Sequence, residues 1–326
     1  MTPFRTQFSQ LKDEMQKAIV GYDELLTDVL VAIFSGGHVL LEGVPGLGKT
    51  FLVRTLSQVI ALEPGRVQCT PDLMPADILG THIVSEDEHG HRTLRYEKGP
   101  VFKNLLLVDE INRATPKTQA ALLEVMQERC VTTGGERHLL PEPFLVLATQ
   151  NPMEMEGTYP LPEAQLDRFM FKIKVPFPDL ESLVEISRRT TGFKEPVLQS
   201  VMSGEDLIRM QHELAKIPVA DPVAHYASRL ILATHPEQAE TLPEVKRYVS
   251  YGASPRGLQA LIRGARVWAA VQGSTAVSTD DIRAIAHVSL RHRIILNFEG
   301  EAGQVKVDDL ISKLLDQVKT PAMQAA

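Results

Sequence analysis

The segment Gly43-Val44-Pro45-Gly46-Leu47-Gly48-Lys49-Thr50 matches the pattern G-x-x-x-x-G-K-[ST] and lies between an apolar run and an amphipathic one. Glycines at this spacing let backbone N–H groups close around phosphate oxygens, Lys49 neutralises the β/γ charge, and the Thr50 hydroxyl is offered to Mg2+. A second constellation ends the run Leu105-Leu106-Leu107-Val108 in two carboxylates, Asp109 and Glu110. The C-terminal edge of an open parallel sheet is where phosphates bind, so Asp109 suits the shell around the metal ion and Glu110 the base that orients and deprotonates an attacking water. Alone, such a pair reads as a solvated turn; after a phosphate loop it reads as chemistry.

Three further polar residues stand where they could touch a phosphate. Asn151 follows the run Phe144-Leu145-Val146-Leu147-Ala148 through Thr149-Gln150, placed to bond the attacking water or the γ-phosphate, or else to make a turn before Pro152. Arg168, in Leu166-Asp167-Arg168-Phe169, falls between an expected helix end and an edge strand. It is too far along the sheet to be an obvious ligand within its own chain, so it is read as an arginine finger for a neighbouring subunit's γ-phosphate, the alternative being an ion pair with Asp167 or Glu163. Arg256 projects from a helix opened by Ser254 as N-cap and Pro255 as first residue, where the dipole favours a phosphate; an ordinary surface arginine is the alternative.

Positioning these groups falls to five short runs, residues 39–41, 67–69, 105–108, 144–148 and 171–175, alternating with helical patterns. This alternation predicts an α/β fold with a doubly wound parallel sheet. The first, third and fourth runs are almost purely apolar and suit central strands, whereas Phe171-Lys172-Ile173-Lys174-Val175 alternates and suits an edge. Two β-hairpin inserts are expected, at 83–96 and at 131–140, ahead of the third and fourth strands. Beyond Val175-Pro176-Phe177-Pro178 the strands stop, and helices are expected at 180–189, 205–216, 224–234, 255–271 and 279–290. The reading is an α/β domain over 1–191 and a smaller all-helical lid over 192–326 with a frayed tail.

Composition narrows the partners. With 326 residues, 44% hydrophobic and 23% charged, the chain has the make-up of a soluble globular protein. Its net charge of -7, from 34 Lys+Arg against 41 Asp+Glu, repels nucleic acid and anionic lipid. Cys69 and Cys130 have neither disulfide-framework nor zinc spacing, and there is no signal-type leader or apolar run of the roughly 18 residues that span a bilayer. A cytoplasmic protein without membrane insertion is expected. His82, His89 and His91 read as solvated hairpin residues rather than metal ligands.

The order of phosphate loop, intervening strand, Asp109-Glu110, Asn151, Arg168 and Arg256 resembles that of AAA+ ATPases, and over nearly its full length the chain resembles the MoxR family. The segments that carry the resemblance are 39–50, Asp109-Glu110-Ile111-Asn112-Arg113-Ala114, Ala148-Thr149-Gln150-Asn151-Pro152 and 156–169. The resemblance implies ATP with Mg2+ as cofactors and a hexameric ring of this chain that remodels proteins, often beside a partner with a von Willebrand factor A domain. It maps Walker A onto Gly43 to Thr50, Walker B onto Asp109 and Glu110, sensor 1 onto Asn151, the finger onto Arg168 and sensor 2 onto Arg256. Tyr22 stands where the family usually carries glutamine near the adenine, and reads either as a base-stacking residue or as packing for the N-terminal helix. Helicases and a magnesium-chelatase subunit share the architecture, but the first hairpin's tip, Ser85-Glu86-Asp87-Glu88-His89-Gly90, is acidic and disfavours nucleic acid. A nucleotide-gated scaffold that does not hydrolyse would have no need of Glu110.

Overall fold

A computed structural model describes residues 2–86, 92–152, 157–191 and 196–320. The hairpin-tip residues Asp87, Glu88, His89 and His91, and the expected frayed end at 321–326, lie outside the described residues.

Strands β1 (Val39–Glu42), β2 (Pro64–Gln68), β5 (Leu105–Asp109), β8 (Leu145–Gln150) and β9 (Phe171–Lys174) make a five-stranded parallel sheet in the order β2-β5-β8-β1-β9. The apolar runs are the central strands and the alternating run is an edge, as their patterns require. Residues 105–108 and 145–148 are buried, each leucine or valine contributing about 1.5–3 kcal/mol of transfer free energy. At the other edge β2 buries only Val67, and it pairs with β5 so that Gln68 lies opposite Asp109. Helix α3 (Lys49–Val59) packs on β5 through an apolar face that includes Leu52, Val53 and Leu56. Helices α4 (Pro75–Leu79) and α5 (Pro116–Glu128) pack on each other.

Both hairpins are present. The first, β3 (Gly80–Glu86) with β4 (Arg92–Lys98), is longer than its apolar pattern indicates, pairing from Gly80↔Lys98 to Glu86↔Arg92. The second joins β6 (Cys130–Thr133) to β7 (Glu136–Leu139) through Gly134 and Gly135, whose φ values of 59° and 83° are those of the two-residue turn that matches strand twist. Tyr96 stacks on His138 with ring centroids 4.4 Å apart and planes at 23°, so the hairpins are packed together. Its hydroxyl donates to the Leu79 carbonyl at 2.6 Å.

The chain divides into two compact units, Met1–Val39 with Pro162–Ile173 and Asp206–Ala326, and Leu40–Leu161 with Lys174–Glu205. This differs from a division at 191. Helices α1 (Thr2–Gln16) and α2 (Asp23–Phe34) place Phe4, Phe8 and Phe34 in one ring cluster and pack on α11 (Pro255–Gln272), so they belong with the helical core. That unit also holds α6 (Glu163–Leu166), α8 (Gly204–Ala215), α9 (Asp221–Ala233), α10 (Pro243–Tyr248), α12 (Thr279–Leu290), α13 (Phe298–Ala302) and α14 (Val307–Gln317), whereas α7 (Leu180–Thr190) belongs to the other. The expectation that strands stop after residue 178 is corrected by a small antiparallel pair, β10 (Val249–Tyr251) with β11 (Ile295–Leu296). These segments are too short to show a period of two. Among the described residues no helix is long and apolar enough to cross a membrane.

Candidate active site

The phosphate loop leaves β1 at Gly43, whose N–H donates to the Gln150 carbonyl at 3.2 Å and so ties the loop to the end of β8. Gly46 and Gly48 have φ values of 83° and 75°, and space is open where a side chain would stand on either. Only glycine adopts that backbone without strain, and it leaves room for a phosphate to approach. Helix α3 starts at Lys49 with no side-chain cap and no acidic residue in its first turn, so its N-terminal dipole is not offset locally. Lys49 Nζ donates to the Gly43 carbonyl at 2.6 Å, which holds the ammonium over the loop, and Thr50 is exposed at its end. These residues fit a nucleoside triphosphate with its Mg2+.

Asp109 ends β5, and Glu110 follows with a left-handed φ of 56°. A non-glycine residue there costs on the order of 1–3 kcal/mol and persists only when its surroundings fix it. What fixes it is Thr149 on β8, a fully buried residue whose Oγ1 accepts from the Glu110 N–H at 2.8 Å and donates to Asp109 Oδ1 at 2.7 Å. From the edge strand β2, Arg66 donates to Asp109 Oδ2 at 3.1 Å and Gln68 Nε2 to Glu110 Oε2 at 3.2 Å. Residues two apart on a strand share a face, so one face of β2 serves both carboxylates. Arg113 adds a 3.1 Å ion pair to the same Glu110 oxygen. Asn151 is buried one residue beyond β8, and its carbonyl accepts from Asn112 Nδ2 at 3.3 Å.

Cys69 lies just past β2, its N–H donating to the Asp109 carbonyl at 2.9 Å. Burial, then the charges of Asp109 and Glu110, push its thiol up to about 12. Cys130 is also buried and free. His82 sits beside Tyr96 with centroids 5.3 Å apart, and among the described residues no group of three or more His, Cys, Asp or Glu side chains could hold a metal ion.

Arg168 and Arg256 belong to the other compact unit. Ser254 is the N-cap of α11, its Oγ accepting from the Arg256 N–H at 3.1 Å with Pro255 at the first position, as the sequence predicts. Arg256 NH1 lies 3.9 Å from Asp167 Oδ2. The closer partners of Asp167 are Arg293, whose Nε donates to Oδ1 at 2.8 Å, and Ser254, whose hydroxyl donates to Oδ2 at 2.8 Å. Arg168 is partly buried, and its Nε is enclosed with no hydrogen-bond partner among the described residues. Tyr22 precedes α2, and burial of its hydroxyl, which also has no partner among the described residues, raises its pKa.

Loop, acidic pair and buried asparagine follow the C-terminal ends of three adjacent strands, and that sheet with that loop puts the chain in the class of P-loop ATPases. Residues 38–171 match the family described as ATPase family associated with various cellular activities (AAA), and residues 243–314 match the AAA lid domain. The chain is 44% identical over 312 residues to "Chaperone MoxR1" of Mycobacterium tuberculosis, covering 96% of this chain and 82% of the relative. It is 32% identical over 340 residues to "Protein MoxR" of Methylorubrum extorquens, covering 98% and 97%. A crystal structure of a candidate ATPase from Cytophaga hutchinsonii superposes with a TM-score of 0.91 at 41% identity, covering 98% of this chain and 96% of that one. The chain belongs to the MoxR family of AAA+ ATPases.

Proposed function

We propose that this chain hydrolyses ATP with Mg2+ and spends the energy on chaperone-like remodelling of partner proteins, acting as a ring of its own copies. The observation that carries the hydrolytic half is the fixed pair at the end of β5: Thr149 holds Asp109 and the left-handed Glu110 together, beside a loop built for phosphates. In this reading the loop amides and Lys49 would bind the β- and γ-phosphates, and Thr50 and Asp109 would hold the ion. Mg2+ supplies charge neutralisation across the phosphate oxygens when bound. Glu110 takes the proton of the attacking water, Asn151 orients that water, Arg168 completes the site of the neighbouring subunit, and Arg256 senses the γ-phosphate.

The remodelling half rests on the hairpins and on the relatives' name. Val84 and Leu94 are direct cross-strand partners on the first hairpin and are 66% and 70% exposed, an apolar pair that suits contact with a protein chain. Maturation of a protein partner, including insertion of its metal cofactor, and a partner with a von Willebrand factor A domain both follow from family resemblance. The test is phosphate release and nucleotide binding in two variants. Lys49→Ala is expected to lose ATP affinity, and Glu110→Gln to keep it while turnover falls by about 10² to 10⁴-fold. Turnover of Glu110→Gln equal to that of the unaltered chain would remove Glu110 from the role of base.

A further inference from the structure

The guanidinium of Arg293 is enclosed, its side chain 2% exposed, and all five of its N–H groups are used. Nε donates to Asp167 Oδ1 at 2.8 Å; NH2 donates to the carbonyls of Asp167 at 3.1 Å and Phe169 at 2.7 Å. NH1 donates to the Met170 carbonyl at 3.1 Å and to that of Ser289. One nitrogen therefore grips the carbonyls on both sides of Arg168. His292 adds a contact from its Nε2 to the Phe169 carbonyl at 3.0 Å; burial, then Arg293, hold it well below the ordinary histidine value, so it is neutral. Burial also pulls Arg293 below the ordinary arginine value, which the Asp167 carboxylate opposes.

The other Asp167 oxygen faces α11. Ser254 gives it its single proton and uses a lone pair of the same oxygen to cap the N–H of Arg256. The Arg256 guanidinium stands 3.9 Å from that carboxylate with its side chain 46% exposed, a loose pair that a phosphate would outcompete. When Arg256 turns to a phosphate, Asp167 loses that cation and, among the described residues, leans on Ser254 and Arg293.

We propose that Asp167 is a positioning residue that couples the two arginines, with Ser254 as the link, so that the nucleotide sensed by Arg256 in one subunit biases the Arg168 presented to the next. This rests on the reading of Arg168 as acting across an interface and of Arg256 as acting on its own chain's nucleotide. Couplings between sites typically amount to 5- to 150-fold in an equilibrium.

Ser254 offers the cleaner perturbation, since removing Asp167 strands the enclosed Arg293. Glycine caps helices nearly as well as serine, so Ser254→Gly removes the link while keeping the helix start, and Ser254→Thr keeps both. The experiment titrates Glu110→Gln subunits into otherwise unaltered rings and follows ATP turnover per active subunit, with melting temperature and ATP-analogue affinity recorded alongside. Coupling bends the unaltered curve away from proportionality. Carrying Ser254→Gly in every subunit should restore proportionality, and carrying Ser254→Thr should preserve the bend. A bend that survives Ser254→Gly, a bend lost in Ser254→Thr, or a proportional curve in the unaltered protein each overturns the coupling. Mixing Arg168→Ala with Lys49→Ala subunits tests the underlying reading separately. Recovery of turnover in mixed rings supports action across an interface; no recovery overturns that reading, and the coupling falls with it.

Discussion

Replacing Thr149 with valine keeps the shape of a fully buried side chain and deletes one hydroxyl, so the consequence is electrostatic rather than a cavity. Two bonds go: a charge-assisted one to Asp109 Oδ1 at 2.7 Å and the acceptor of the Glu110 N–H at 2.8 Å. The first is worth about 1.5–3 kcal/mol and the second leaves an amide without its partner at about 1–3 kcal/mol, although Arg66 still holds the other Asp109 oxygen. Part of this loss is recovered as Glu110 relaxes from its left-handed φ of 56°, since that backbone stores about 1–3 kcal/mol. The net expectation is a destabilisation of about 2 kcal/mol and a fall in single-turnover hydrolysis of roughly 10- to 100-fold, with ATP-analogue affinity nearly unchanged. Thr149→Ser keeps the hydroxyl and loses one methyl, about 0.8 kcal/mol, and should hydrolyse close to the unaltered rate. Denaturant melts and rapid-quench hydrolysis measure the two halves. Valine hydrolysing as fast as serine would refute the idea that Thr149 sets the acidic pair.

Two other expectations follow from surface and interior charge. Val84→Ser with Leu94→Ser should leave basal ATP turnover within about twofold, as exposed positions usually do, and reduce stimulation by a protein partner; unchanged stimulation would take the exposed hairpin pair out of partner contact. Asp28 on α2 is pushed up to about 6 from 3.8 by burial, with Arg291 opposing and Glu24 adding. Its carboxylate is costlier in the folded state, so stability falls as pH rises from about 4 to 6 and is level above. Asp28→Asn should therefore raise stability by up to about 3 kcal/mol at pH 7.5 and by only about 0.6 kcal/mol at pH 4, read from urea midpoints, and an equal gain at both would contradict the assignment.

The central sheet was legible because burial on both faces leaves near-continuous apolar runs, and the loop because few sequences other than a phosphate cradle need Gly46, Gly48 and Lys49 together. The edge strand β2 was legible only at Val67, since exposed Pro64, Arg66 and Gln68 carry no apolar signal. The carboxylate pair at the end of β5 could be named, but the residues that hold it could not. Thr149 acts on partners 39 and 40 positions away, and Arg293 reaches Asp167 across 126 positions, so neither bond leaves a local trace. Ser254 shows both sides of this: its cap is a local pattern and was read, while its bond to Asp167, 87 positions away, was not. The N-terminal helices were assigned by chain order to the α/β region, whereas three phenylalanine rings draw them into the helical unit.

The two buried thiols make the molecule convenient for spectroscopy. Maleimides react with thiolates, and burial beside Asp109 and Glu110 pushes the Cys69 thiol up to about 12, which keeps it protonated at pH 7.5, while Cys130 is shielded by its burial. The native chain should therefore stay dark in a brief labelling reaction without any cysteine being replaced. New cysteines at Leu94 on the first hairpin and at Phe298 in the helical unit, 70% and 87% exposed, would take up a donor and an acceptor dye against that silent background. The distance between the dyes could then be followed through binding, hydrolysis and release of a nucleotide in a protein whose catalytic residues are all native.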